Sequence, residues 1–331
     1  MATDVISAFN EFISSKVDLD GVETAIARRS RGWLVDRIHE FPGKDISFPR
    51  LYQGMDIFFG SFERKTKKRA LDDIDLMICL NADGATYFDI GEKIYLEIED
   101  HSSPLYNFTD DNNEKINSKR VINKFVRALA DIPQYEKADA NRRGEAAVLN
   151  LKTYPWAFDI VPCFHTNMDE NGKQFYLIPD GDGNWQRADP RIDRTRVERL
   201  TSVRGSQILR VIRLVKFWNR RATMPSLPSY LLENMILDYY ENNECTIWPD
   251  LEFRDIVYFI QHAIHAKVFD PKGIQGDLNN VGFFDRLSIG IRCAQDHAKA
   301  IDARRFETDN DMKKSIAKWT EIFGPEFPSY G

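Results

Sequence analysis

Phe59–Phe62, with the sequence FGSF, and Asp73–Met77, with the sequence DIDLM, are the most informative segments of this chain. Alternate side chains of a β-strand lie on one face, so a strand at the second segment places Asp73 and Asp75 together and directs the intervening apolar residues into a core. Asp72 then lies on the opposite face or in the preceding loop. The segment therefore predicts a strand that presents a pair of carboxylates. The alternative is an edge strand with a solvated face.

A third carboxylate occurs in a later apolar segment. Asp159 is the one acid of Trp156–Pro162, with the sequence WAFDIVP, where the burial of an unpaired charge would be costly. A salt bridge, a solvent-facing position or a metal ion would each remove that cost. The pair at Asp73 and Asp75 favours the metal, because Mg²⁺ is bound through a few carboxylates together with waters and substrate phosphates. We therefore predict that these three acids bind two Mg²⁺ ions, for which Mn²⁺ could substitute.

The dipeptide Gly60-Ser61 is a common turn signal and indicates little by itself. Its position shortly before the aspartate strand is what makes it informative. Glycine lets the backbone approach a ligand closely, and successive backbone N–H groups in a turn bind phosphate. We therefore predict that Gly60 and Ser61 contact the phosphates of a ligand.

The composition narrows the class of protein. The chain has 331 residues and a formal net charge of −6, which is typical of two lobes and argues against stable nucleic-acid binding through a wholly basic surface. The four cysteines are far apart and form no CxxC pair, so we expect reduced thiols in a core. We find no apolar run long enough for a membrane helix, so we expect no membrane contact and a cytoplasmic protein.

The hydrophobic pattern changes along the chain from mixed to helical. The expected helices are Asp4–Val17, Val22–Ile38, Asn117–Leu129, Arg196–Arg220, Tyr230–Tyr240, Phe253–Ala266, Phe283–Ala303 and Met312–Phe323. The expected strands are Asp56–Phe59, Ile74–Leu80, Ala146–Leu151, Ala157–Phe164 and Gln174–Ile178. We therefore predict an α+β protein, with a mixed sheet and the N-terminal helices in residues 1–192 and a helical bundle in residues 193–331.

The order of Gly60-Ser61, Asp73-Ile74-Asp75 and Asp159 resembles the polymerase-β-like nucleotidyltransferase superfamily, and this likeness covers most of the chain. The sequence is also similar to that of the bacterial relatives of cyclic GMP-AMP synthase, the DncV-like nucleotidyltransferases, at Gly60–Thr66, Phe158–Pro162 and Trp319–Pro328. The resemblance implies a polymerase-β-like core, a C-terminal helical lobe and an active site in the cleft between them.

The resemblance also implies an activity. Such an enzyme binds nucleoside triphosphates such as ATP or GTP and joins them into a cyclic di- or trinucleotide, with release of pyrophosphate. In the bacterial relatives the product diffuses to an effector protein in anti-phage signalling (CBASS), and an activating or accessory protein is a further expected partner. Lys216 and Ser229 match the lysine and the hydroxyl residue that bind the donor phosphates from the helical lobe. The alternatives are an exposed helical lysine and a helix N-cap.

Other functions stay open at this stage. The same acids serve nucleotidyltransferases that tail RNA or modify a small molecule or a protein. A catalytically silent nucleotide-binding module is a further alternative, against which the three intact acids count. The basic segment Arg64–Arg69 could attract phosphate, but the negative net charge and the lack of interleaved aromatic residues favour a solvated loop.

Overall fold

The computed structural model of the chain describes residues 2–91, 93–110, 113–170, 172–223 and 225–331. Its contacts divide the chain into two compact units, each built from more than one segment. The sheet unit consists of Gly21–Glu63 and Leu71–Arg191, and the helical unit consists of Met1–Asp20, Arg64–Ala70 and Ile192–Gly331. The last boundary between the two units, after residue 191, lies close to the predicted domain boundary after residue 192. The first twenty residues and the segment 64–70, however, pack with the helices and not with the sheet.

Helices and strands are mixed up to residue 188, and only helices follow among the longer elements. The helices are α1 (Val5–Phe12), α2 (Gly21–His39), α3 (Phe41–Lys44), α4 (Gly60–Glu63), α5 (Ser118–Ala130), α6 (Pro190–Arg204), α7 (Gln207–Asn219), α8 (Ser229–Asn242), α9 (Pro249–Ala263), α10 (Phe283–Thr308) and α11 (Met312–Phe323). The strands are β1 (Ile57–Phe59), β2 (Asp73–Leu80), β3 (Thr86–Ile90), β4 (Lys93–Glu97), β5 (Asp139–Arg143), β6 (Ala146–Asn150), β7 (Ala157–His165), β8 (Tyr176–Pro179) and β9 (Trp185–Ala188).

The described residues of the sheet unit form one nine-stranded mixed sheet. Its strand order is β1-β2-β7-β8-β9-β4-β3, and β6 pairs with β7 and with β5 beside this path. Strands β2 and β7 are parallel neighbours over eight residue pairs, whereas the other pairs of strands are antiparallel. Both central strands are almost continuously apolar after their first residues, as expected for strands that are covered on both faces. They form the framework that positions the candidate site.

The core of the helical unit is rich in aromatic rings that come from both ends of the chain. Phe9 of α1 lies edge-on to Trp319 of α11, with ring centroids 4.8 Å apart, and Phe12 lies edge-on to Phe217 of α7 at 5.0 Å. Asp4 is the N-cap of α1, and its carboxylate accepts a hydrogen bond from the backbone N–H of Ser7. These contacts explain why the first twenty residues belong to the helical unit.

The structure confirms the α+β fold class and most of the predicted elements. The predicted helix at Met312–Phe323 has the bounds of α11. The single helix predicted over Arg196–Arg220 is wrong, since Gly205, at a φ of +100°, separates α6 from α7. Strand β5 was not predicted, because most of its residues are exposed and polar. Among the helices that the structure describes, none is long and apolar enough to cross a membrane.

Candidate active site

The three predicted aspartates meet on one face of the two central strands. Asp73 and Asp75 are the first and third residues of β2, and Asp159 is the third residue of β7. In the parallel register of these strands, Asp75 is the direct neighbour of Asp159 and Asp73 is the neighbour of Ala157. Neighbouring strands are about 4.8 Å apart, and residues in register share a face. The fold therefore brings the three acids together, and each is half-buried.

The face that carries these acids becomes apolar further along both strands. Met77 and Cys79 follow on β2, Val161 and Cys163 follow on β7, and all four are buried in one cluster. Cys79 and Cys163 are themselves register neighbours, and burial raises the pKa of the Cys163 thiol well above its ordinary value. The acids therefore lie at the margin of a buried core, at the N-terminal ends of both strands.

Gly60 lies directly against one of these acids. It has a φ of +74°, a region that favours glycine, and it begins α4 immediately after β1. A Cβ atom at this position would lie 1.7 Å from Oδ2 of Asp75, which is far inside van der Waals contact. Only glycine therefore fits beside the Asp75 carboxylate in this geometry.

The turn that contains Gly60 and Ser61 is fixed to the sheet unit by an ion pair. Glu63, the last residue of α4, accepts a hydrogen bond from Arg31 of α2 at 2.8 Å. The Arg31 guanidinium also lies over the ring of Phe58, 3.8 Å from its centroid. Ser61 is half-buried and directly follows Gly60. The predicted phosphate-binding turn is thus adjacent to the aspartates, and its phosphate contacts stay a prediction.

We tested whether the aspartates fit a magnesium site. Among the described residues, no three or more His, Cys, Asp or Glu side chains form a group that could hold a metal ion by themselves. Mg²⁺ does not require such a group, because it is usually bound through one or two carboxylates, waters and substrate phosphates. The neighbouring carboxylates of Asp75 and Asp159, with Asp73 on the same face, supply oxygen donors of the kind that Mg²⁺ prefers. These residues therefore fit Mg²⁺ that arrives with a phosphate ligand.

Lys216 lies in the helical unit and is only 5% exposed. Its ammonium group donates to Oε2 of Glu233 at 2.5 Å and to the backbone carbonyl of Thr66 at 3.2 Å. Arg64 donates from Nε to Oε1 of the same glutamate at 2.7 Å, and the Thr66 hydroxyl donates to Oε2 at 2.8 Å. We call Arg64, Thr66, Lys216 and Glu233 the Glu233 cluster. Its geometry shows that the interpretation of Lys216 as an exposed helical lysine is wrong.

The charges of the Glu233 cluster are compensated although the cluster is buried. Burial by itself would raise the pKa of Glu233, but Lys216 and Arg64 outweigh this effect and hold the pKa well below its ordinary value. Burial lowers the pKa of Lys216, and Glu233 opposes this change. A phosphate that binds Lys216 would have to share or replace the contact with Glu233. The predicted role of Lys216 in phosphate binding stays a prediction.

Ser229 is exposed and is the first residue of α8. The N-cap of this helix is Pro228, and the structure records no side-chain hydrogen bond at the cap, so the interpretation of Ser229 as an N-cap is wrong. The next residue, Tyr230, donates from its hydroxyl to Asp193 at 2.7 Å. Ser229 keeps an accessible hydroxyl at the start of α8, which is compatible with the predicted phosphate contact and does not test it.

A full-length relative places the chain in a family, although no family model matches it. A probable cyclic nucleotide synthase of Bacillus cereus strain VD146 is 42% identical to it over 325 residues, which is 98% of each sequence. This chain belongs to the cyclic nucleotide synthases. The full-length match confirms the nucleotidyltransferase class that the sequence motifs indicated.

Solved structures share the fold of this synthase. The CdnC protein of E. coli MS115-1 in complex with HORMA-deltaN has a TM-score of 0.71 and covers 98% of both chains, and CdnC with ATP has a TM-score of 0.69 and covers 99% of both. E. coli DncV bound to 3′-deoxy GTP has a TM-score of 0.57 over 82% of this chain and 69% of that one. Each is 13% identical in sequence and therefore shows the fold alone. Together with the full-length relative, they confirm the resemblance to the DncV-like nucleotidyltransferases.

Sequence reasoning did not single out Glu233 of this synthase. It is 2% exposed, and it binds two cations that lie 169 and 17 residues away along the chain. One signal was present, since Glu233 is an acid within the apolar segment Leu231–Leu237. A buried carboxylate of this kind requires a partner. The identity of that partner could not be read from the sequence.

Proposed function

We propose that this synthase joins nucleoside triphosphates, such as ATP or GTP, into a cyclic di- or trinucleotide at Asp73, Asp75 and Asp159, with Mg²⁺ bound to these carboxylates. The observation that carries the proposal is the register of β2 and β7, which makes Asp75 and Asp159 neighbours on the face that also presents Asp73. Gly60 adds to it, because its backbone lies against the Asp75 carboxylate.

The aspartates and the Gly60-Ser61 segment have different roles in this proposal. The three carboxylates would hold Mg²⁺, which would neutralise phosphate charge and favour the alkoxide form of the attacking hydroxyl. The backbone at Gly60 and the hydroxyl of Ser61 orient the triphosphate of the donor. The 2′ or 3′ hydroxyl of an acceptor nucleotide attacks the α-phosphorus of the donor, a phosphodiester bond forms, and pyrophosphate leaves. A second reaction of the same kind closes the ring. The rate enhancement comes from the positioning of the two nucleotides and from electrostatic stabilisation, so the enzyme needs no covalent nucleophile.

The partners follow from the same proposal. CdnC has been solved with ATP and with HORMA-deltaN, and DncV with 3′-deoxy GTP, which supports nucleotide substrates and an accessory protein for this chain as well. Lys216 and Ser229 would bind donor phosphates. The diffusible product would act in the cytoplasm on an effector protein in anti-phage signalling. We rank RNA tailing lower, since a net charge of −6 does not favour a long basic groove for an acceptor strand.

Identification of the product tests the proposal. Purified protein is incubated with Mg²⁺ and the four ribonucleoside triphosphates, treated with phosphatase, and the surviving compounds are weighed by mass spectrometry. We expect cyclic oligonucleotides, which have no terminal phosphate and survive the phosphatase. An aliquot taken before that treatment should contain one pyrophosphate for each bond formed. Reactions with EDTA should yield none. Linear oligonucleotides or an unchanged nucleotide mixture, after trials with Mn²⁺ and with the native accessory protein, would contradict the proposal.

A further inference from the structure

Helix α10 has a second apolar face in addition to the one that it buries. With 26 residues it is about 39 Å long, and it packs into the helical unit through Ile289, Gly290, Cys293, Asp296, Ala300 and Ala303. On its other side, Phe284 is 80% exposed, Leu287 is 40% exposed, Ile291 is 60% exposed and Ile301 is 46% exposed. Large apolar side chains arranged in a row on the surface of one helix are unusual unless another surface covers them.

The exposed face follows a heptad repeat. Phe284, Leu287, Ile291, Ala294, Ala298 and Ile301 are separated alternately by three and four residues, which is the a and d spacing of a helix that packs along a second helix. We call these six residues the α10 seam. Ala298 is exposed and Ala294 is half-buried, so the seam is accessible along its length.

The large and small residues of the α10 seam are arranged so that the seam is complementary to a second, antiparallel copy of itself. In an antiparallel pair of helices, a positions face d positions of the partner. A twofold axis between residues 292 and 293 places Leu287 opposite Ala298, Ile291 opposite Ala294 and Phe284 opposite Ile301. Each alanine then faces a large residue, and the two helices can interdigitate. A parallel pair would instead place alanine opposite alanine in two successive layers and leave voids there.

The residues that flank the seam favour the same arrangement. Antiparallel pairing brings the exposed ring of Phe283 towards Arg304 of the other helix, a cation over an aromatic face, and Ser288 towards Gln295. A parallel pair would place Arg305 next to its own copy, with like charges together. The half-exposed ring of Tyr258 on α9 lies 5.0 Å from the ring of His297 on α10 and extends the apolar surface near the middle of the seam.

We propose that α10 is the contact surface of a homodimer, in which the α10 seams of two copies of this chain pack antiparallel about a twofold axis. The self-complementarity in size, together with the approach of Phe283 to Arg304, selects a second copy over an unrelated helix, because the two faces of a twofold interface are the same surface. The homodimer proposal does not depend on the proposed catalytic function, and its test measures the mass of the protein in solution.

Sedimentation of the full-length protein over a range of concentrations tests the dimer. We expect the mass to rise from 38.4 kDa towards twice that value. Ile291→Glu places a charge in the centre of the seam and should raise the dissociation constant about 30-fold or more. Ile247→Glu is the matched control, since Ile247 is 66% exposed and lies outside α10. Its dissociation constant should equal that of the wild type. A monomer at every concentration, or a dimer that Ile291→Glu leaves unchanged, would overturn the proposal.

Disulfide trapping tests the direction of pairing. Leu287→Cys and Ala298→Cys are prepared as separate proteins and oxidised alone and as a mixture, with the wild type as background. Antiparallel seams predict that a cross-linked dimer forms in the mixture and that neither variant cross-links alone. Cross-linking of each variant with itself would instead show a parallel pair and would overturn the arrangement.

Discussion

The aspartate group, Asp73, Asp75 and Asp159, and the Glu233 cluster are two groups of charged residues that the protein builds in different ways. Three acids of the same sign are placed side by side by the backbone register of β2 and β7. In the Glu233 cluster, one carboxylate is bound by two cations and a hydroxyl from distant parts of the sequence. Removal of one partner from a compensated group of buried charges is strongly destabilising. We therefore expect the Glu233 cluster to support the fold, and we propose that the aspartate group carries the chemistry.

The largest expected effect concerns the aspartate group. Asp73→Asn combined with Asp75→Asn should reduce product formation at least about 1,000-fold, because the charge that holds Mg²⁺ is lost while the shape of the side chains is kept. The readout is nucleotide turnover, together with the urea unfolding midpoint. Asp72→Asn is the control, since Asp72 is exposed and precedes the strand. Its activity should stay close to that of the wild type. Equal losses in both variants would contradict our assignment of the site.

The second prediction concerns stability. Glu233→Gln leaves Lys216 and Arg64 buried without their shared carboxylate, and it should lower the free energy of unfolding by about 3–5 kcal/mol. Glu241→Gln is a control on the same helix. Glu241 pairs with Arg196 and Arg199 and is 31% exposed, so we expect a loss below about 1 kcal/mol. Urea unfolding measures both variants. Similar losses would show that burial does not distinguish the Glu233 cluster from a surface ion pair.

The third prediction concerns the close approach of the turn to the acids. Gly60→Ala adds a Cβ that overlaps the Asp75 carboxylate and has an unfavourable φ, so the carboxylate must move. We expect about a 100-fold loss of activity from this misplacement. In Gly54→Ala, the added Cβ has no neighbour within 4 Å, and activity should be retained. A wild-type rate for Gly60→Ala would refute the contact between this turn and the site.

The smallest expected effect is the pH dependence of the stability that Glu233 contributes. The pKa of Glu233 is lowered on folding, so its contribution to stability is fully present above its unfolded pKa of about 4.3 and is lost as the pH falls towards the folded value. The stability difference between the wild type and Glu233→Gln should therefore narrow by about 1.4 kcal/mol for each pH unit below 4.3. Urea unfolding at several acidic pH values measures this, and a constant difference would contradict it.

The aspartate group could be predicted from the sequence because its determinants are local. The alternation of Asp73 and Asp75 in an apolar segment specifies a shared face, and the position of Asp159 in a second apolar strand indicates the third acid of the proposed site. The structure adds the parallel pairing of the two strands, whose register makes Asp75 the direct neighbour of Asp159.

The Glu233 cluster could not be predicted in the same way. Arg64 and Glu233 are 169 residues apart, and nothing in the sequence of the basic segment at 64–69 indicates that Arg64 binds a buried carboxylate. The prediction of a solvated loop is wrong for Arg64, whose side chain is 9% exposed, and for Thr66, which is buried beside Glu233. Contacts between distant segments depend on the completed fold, which local periodicity does not encode.

The chain alternates between the two units, in the order helical, sheet, helical, sheet and helical. A fragment that begins at residue 193 would therefore lack Phe9 and Phe12, whose rings fill the aromatic core around α11. It would also lack Arg64 and would leave Glu233 with one fewer cation. Neither half can be cut out with a single break, so we expect expression of either half alone to yield an aggregation-prone product, while co-expression of complementary pieces could restore the fold.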